Sequence, residues 1–272
     1  MVVEHPFPNT GPSVPRSSLR AVALPAEHGG WSLTLEPVVL GLLVSASVAG
    51  AALGVAALLV FMARTPIKLA LVDRRRGHWR GRSRVATVVA IGELAAIVAL
   101  GVVAVVTAGN AFWWPLAIAA PFVAVELWYD IRSRGRRLVP ELAGVVGIGS
   151  MAAVVALAGG VASDVAAGLW LVIAARGVAA VTFVRVQLQR AKEQQFRLLD
   201  SDLGQAVAVA LTAFALAVGL IPELAVVAIG AVAIFDSIVV RLAPVPAAIL
   251  GAQQVVLGLV VILVTGLAVG AP

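Results

Sequence analysis

Two stretches of the chain place cations at helical spacing just inside apolar runs. In FMARTPIKLALVDRRRGHWRGRSR, residues 61–84, Arg64 and Lys68 lie one turn apart, and Arg74, Arg75, Arg76, Arg80, Arg82 and Arg84 follow with Asp73 to oppose them. In FVRVQLQRAKEQQ, residues 183–195, Arg185, Gln189 and Lys192 recur at intervals of four and then three. Charge confined to loops would be enough to orient a membrane protein, yet Arg64, Lys68 and Arg185 precede their loops. Either these long side chains snorkel to the interface, or they line a shared cavity that takes an anionic head group.

Arg176 stands deep in its apolar run, well before the end. Facing lipid there would cost roughly 2.5 to 3.5 kcal/mol, so it is expected to face a partner, with Glu93 and Glu126 as the membrane carboxylates at hand. A structural ion pair and a line of polar groups along a substrate path are the two readings. A third candidate is PAEHGGWSLTLEP, residues 25–37, in which Trp31 suits the interface, Gly29 and Gly30 relax the backbone, and Glu36 lies about a turn inside the membrane. It reads as an anchored membrane-entering turn, or as a segment in which His28, Glu27 or Glu36 faces a polar cavity. His5, His28 and His78 stand apart and no HExxH or Walker loop is present, so no metal site is expected. GVVGIG, residues 144–149, has the wrong order for a dinucleotide loop and reads as close helix packing.

The elements that must carry these groups follow from composition. Of 272 residues 61% are apolar and 12% charged, and the mean hydropathy is +1.03, more apolar surface than one soluble core can hide. Cysteine is absent, which excludes disulfides and thiolate metal sites. The net charge of +6 lies in short loops beside apolar spans, which points to orientation and anionic lipid rather than nucleic acid. Residues 1–24, with Pro6, Pro8, Pro12 and Pro15, are expected to form a disordered cytoplasmic arm, and residues 25–272 a single transmembrane domain. A ruler of about 20 apolar residues per crossing gives nine helical spans, near 32–49, 51–72, 85–107, 112–130, 138–160, 165–187, 203–220, 223–240 and 246–270, with the first pair divided at Gly50. Nineteen of the 20 cations then fall in the arm or near the ends and loops of one side, Arg176 being the exception. A cytoplasmic N-terminus, an outside C-terminus and the plasma membrane follow as expectations.

PAEHGGWSLTLEP, ARTPIKLALVDRRR after the second span and RGVAAVTFVRVQLQR in the sixth resemble the YwiC-like family of bacterial membrane proteins, over nearly all of residues 24–240. That family brings no settled activity. More distantly, nine helices with polar ends on the second and sixth are similar to the UbiA superfamily of intramembrane prenyltransferases, an architectural likeness only. That likeness implies two aspartate-rich motifs holding magnesium against a prenyl diphosphate. Here the first position keeps Asp73, and the second has no aspartate until Asp200 and Asp202. The expectation is therefore a membrane protein without cofactor or metal that binds an isoprenoid or lipid phosphate in a cytoplasm-facing cavity. Arg64, Lys68, Arg176, Arg185, Gln189 and Lys192 would supply the charge, and His28, Trp31, Glu36, Glu93 and Glu126 the polar lining. A divergent prenyltransferase using Asp73, Asp200 and Asp202, and a non-catalytic membrane subunit or assembly factor, stand as the alternatives. Membrane lipids are the expected partners, nucleic acid is not, and any protein partner stays open.

Overall fold

The computed structural model describes residues 28–75, 77, 81–132 and 137–270. The expected N-terminal arm lies outside the described residues, as do Arg76, His78, Trp79 and Arg80 of the basic loop. In hydrocarbon every backbone amide has to be paired within its own segment, so Ala-, Val- and Leu-rich runs become helices. Among the described residues the regular structure is helical, without strands: α1 His28–Val44, α2 Val48–Arg75, α3 Gly81–Ala108, α4 Trp113–Ile131, α5 Leu138–Gly149, α6 Met151–Ala158, α7 Ser163–Ala191, α8 Leu198–Ala217, α9 Glu223–Val239 and α10 Ala247–Gly270. α5 and α6 share one span, interrupted at Ser150, whose Oγ and N–H both donate to the Gly147 carbonyl at 2.7 and 3.2 Å. The described helices thus occupy the nine expected span positions. Six of these segments, α2, α3, α5 with α6, α7, α8 and α10, are long and apolar enough to cross a membrane. The chain is an all-α, multi-pass membrane protein.

The first turn differs from expectation. It falls at residues 45–47 rather than at Gly50, which lies inside α2. Serine capping decides this: Ser47 Oγ accepts from the Gly50 N–H at 2.9 Å, satisfying a donor in the first turn of α2, and Ser45 Oγ donates to the Gly159 carbonyl at 2.7 Å. At the same end of the bundle, Gly160 and Gly219 take positive φ, 89° and 76°. Each closes a helix with the paired bonds of a left-handed terminus: Val161 to Ala156 and Gly160 to Leu157, then Leu220 to Ala215 and Gly219 to Leu216.

α6 is buried along its whole length, and α7 presents Val172, Ala175, Ala179 and Phe183 to the core. α1 packs against α6, α7 and α10, so the last helix closes the bundle on the first. α3 packs mainly on α2 and exposes Val88, Ile91, Val98 and Val106 on its outer side, where hydrocarbon is the natural solvent. Small residues set the close approaches. A methyl on Gly177 would overlap the Val145 side chain, and one on Gly147 would press on Val123 at 3.1 Å, in keeping with a packing role for GVVGIG.

At Gly168 the obstructing atom is the backbone oxygen of Leu220, which cannot swing aside as a side-chain end can. Gly168→Ala is expected to destabilise the fold by about 1–3 kcal/mol, read as a lower midpoint of unfolding in detergent. Gly92→Ala, at a position with open space around it, should not lower the midpoint.

Candidate functional site

One end of the bundle gathers the start of α1, the ends of α2, α4, α7 and α9, and the starts of α3, α5, α8 and α10. It is the basic end. Helical spacing puts Arg64 and Lys68 of α2 on one face, and Glu126 and Asp130 of α4, also four apart, on another. The two pairs meet. Arg64 Nη1 lies 2.6 Å from Glu126 Oε1 and its Nε 3.2 Å from Asp130 Oδ2, while Lys68 Nζ lies 2.8 Å from Asp130 Oδ1. The backbones of α2 and α4 do not pack closely, so long side chains make this connection.

The row continues onto α5. Glu126 rests on Gly144, where a methyl would stand 2.7 Å from the carboxyl carbon. One turn before Gly144, Glu141 accepts from Arg185 Nη1 of α7 at 3.1 Å. Three cations and three carboxylates thus run across α2, α4, α5 and α7. Five are about a quarter to a half open, with side-chain exposure from 26% for Glu126 to 52% for Lys68, while Asp130, which takes both Arg64 and Lys68, is the most enclosed at 14%. Such pairs are screened and exchange readily.

The other expected residues fall elsewhere. Gln189 is half-buried on α7 and Lys192 is exposed beyond its last turn. Gln187 and Arg190, which sequence reasoning passed over, tie α7 to the end of α9. Gln187 Nε2 donates to the Val239 carbonyl at 3.1 Å, and Arg190 Nη1 donates to the carbonyls of Val240 and, at 2.8 Å, Leu242. A cation against the last carbonyls of a helix suits its negative end. Trp31 packs edge-on against Phe61, ring centres 5.2 Å apart at 76°, and Gly30 leaves room for that ring. His28 opens α1, its side chain lying outside the described residues.

Arg176 does not meet Glu93 or Glu126. Glu93 sits on the peripheral α3, and Glu126 is engaged by Arg64. Instead Arg176, only 2% exposed, donates from Nη2 to the Gln254 carbonyl at 2.7 Å, and the acidic groups nearest to it in charge are Glu36 and Asp236, neither in ion-pair contact. Partner choice here depends on α9 and α10 closing over α7, which spacing along one helix does not reveal.

A magnesium–diphosphate centre would need several convergent oxygen ligands. Asp73 accepts from Ser83 Oγ at 2.6 Å, and Asp202 is bound by both terminal nitrogens of Arg241 at 3.0 and 2.8 Å. Among the described residues no three His, Cys, Asp or Glu side chains come together as a metal requires, so the donor set does not fit that group.

No curated protein and no solved structure matches this chain. A match to a family model begins at residue 24 and ends at residue 156, within α6, so RGVAAVTFVRVQLQR on α7 lies beyond it. The family is described as YwiC-like protein, and residues 24–156, which hold PAEHGGWSLTLEP and ARTPIKLALVDRRR, are similar to it.

Proposed function

We propose that the protein binds the phosphate head group of an isoprenoid or other membrane lipid at the basic end of the bundle, without magnesium. Arg64, Lys68 and Arg185 hold the head, and the tail lies along the apolar helices. The observation that carries this reading is the row of partly exposed ion pairs from α2 across α4 and α5 to α7. A phosphate offers more acceptor oxygens and more charge than a carboxylate, and a guanidinium can meet it with two parallel bonds, so it can take over donors now held by Glu126, Asp130 and Glu141. Exposed Arg74, Arg75 and Lys192 surround the row with further positive charge, which attracts anionic head groups. In this reading the basic end faces the cytoplasm and the C-terminus lies outside, at the plasma membrane.

One observation favours a second reading. The six charges of the row balance one to one, as expected of a brace in a non-catalytic membrane subunit. Binding separates the two. Purified full-length protein is titrated with a polyprenyl monophosphate, with phosphatidic acid as a second arm and phosphatidylcholine as control. Arg64→Ala and Arg185→Ala should each weaken phosphate binding about tenfold or more, as loss of a charge-assisted hydrogen bond implies. Asp130→Asn, which releases a competitor for Lys68, should tighten it. Unchanged binding in both arginine variants, with lowered unfolding midpoints, would overturn the proposal in favour of the brace.

Orientation has its own test, because the chain contains no cysteine. A membrane-impermeant maleimide should label Asn110→Cys in intact cells and Gln194→Cys only after permeabilisation. The reverse pattern would place the basic end outside.

A further inference from the structure

A second polar cluster lies inside the bundle, apart from the row at the basic end. Glu36 of α1, Arg176 of α7, Asp236 of α9 and Gln254 of α10 are 7%, 2%, 0% and 6% exposed. The Glu36 carboxyl group fills the space over Gly258, where a methyl would overlap it. Gln254 serves two partners: its backbone carbonyl accepts from Arg176 Nη2 at 2.7 Å, and its Nε2 donates to Asp236 Oδ1 at 3.1 Å. Arg176 Nε and Nη1, Asp236 Oδ2, Gln253 Nε2 and Gln254 Oε1 have no hydrogen-bond partner among the described residues, and Gln253 is the second amide on α10 that bears on Asp236. Polar atoms buried in a membrane are rarely left so unless something else completes them.

Charge and hydrogen-bond chemistry agree on what that is. One guanidinium and two ionised carboxylates leave one uncompensated negative charge, which a low-dielectric interior strongly disfavours. Among the described residues no further ionisable group settles the balance: α6 carries none, the charges of α2 and α5 nearest this level are Arg64 and Glu141 in the row, Arg190 of α7 is held by the Val240 and Leu242 carbonyls one turn beyond Asp236, and Arg241 after α9 pairs with Asp202 of α8. A metal cation would have only two carboxylates and would share the space with Arg176. A proton on Asp236 restores the charge balance and gives the two orphaned acceptors, Asp236 Oδ2 and Gln254 Oε1, one donor between them, while the Arg176 Nε and Nη1 donors stay without a bonded partner. Asp236 Oδ2 and Gln254 Oε1 are both acceptors while Asp236 is ionised. Protonated, Oδ2 becomes a donor to Oε1, and acid and amide can close two parallel bonds, the second beside the existing Nε2–Oδ1 bond. Glu36 then stays ionised as the counter-charge of Arg176.

We infer that Glu36, Arg176, Asp236 and Gln254 form a membrane-embedded proton site, which holds one exchangeable proton on Asp236. The inference is independent of the head-group reading, because it concerns different residues and a different readout. Infrared difference spectroscopy of the full-length protein, with deuterium exchange to identify the acid carbonyl stretch, tests it directly.

At neutral pH the wild-type protein should show a protonated-carboxyl band that shifts in heavy water. Asp236→Asn should abolish it. Glu36→Gln should also abolish it, since Asp236 can then ionise against Arg176. Arg176→Gln should retain the band and add a second from Glu36, about doubling the signal. Gln254→Leu should keep the band and shift its frequency. Glu93→Gln, which removes the carboxyl group on α3, should leave the band of the buried cluster in place. Absence of the band in wild-type protein, or its persistence when Asp236→Asn is combined with Glu93→Gln, would overturn the proposal; the first outcome does not depend on any variant folding.

Discussion

A guanidinium in the middle of a membrane helix has to be compensated by the rest of the bundle, and much of the packing around α7 can be understood from that constraint. Arg176 is thirteen residues after the start of α7 at Ser163 and fifteen before its end at Ala191. Too deep to reach water by extension alone, it needs oxygen atoms brought to it. α10 supplies a backbone carbonyl as a hydrogen-bond acceptor, Glu36 of α1 and Asp236 of α9 lie within reach of its charge without an ion-pair contact, and Gly258 makes the room that Glu36 occupies. The closure of the last helix against the first therefore has an electrostatic counterpart beside its apolar one.

The row at the basic end obeys different physics. Most of its members keep some exposure, and exposed pairs individually contribute little free energy, with Asp130, held by two cations, the most enclosed. Deep charge is held by geometry, and shallow charge is held loosely. Two polar regions with opposite character thus share α7, Arg176 in its centre and Arg185 about two and a half turns further on.

Much of the fold was legible in the sequence. Hydropathy measured against membrane thickness located the helices, because a span must be both apolar and long. The first turn is the exception: backbone freedom points to Gly50, whereas Ser47 offers a specific bond to the Gly50 N–H and fixes the turn at residues 45–47. Of the row, the fourfold spacing of Glu126 and Asp130 mirrors that of Arg64 and Lys68, a complementarity that residue numbers alone display. Glu141 offered no such signal, because its pairing with Arg185 depends on α5 lying against α7. The same holds for Arg176 and Asp236, which are distant in sequence and joined only when four helices assemble.

The way α2 meets α4 carries a mechanical consequence. Two helices whose backbones stand apart and touch through extended charged groups form a latch rather than a weld. Each of the two is anchored separately, α2 on α3 and α6 and α4 on α5 and α6, so at this flank the charged groups span a gap that backbone packing leaves.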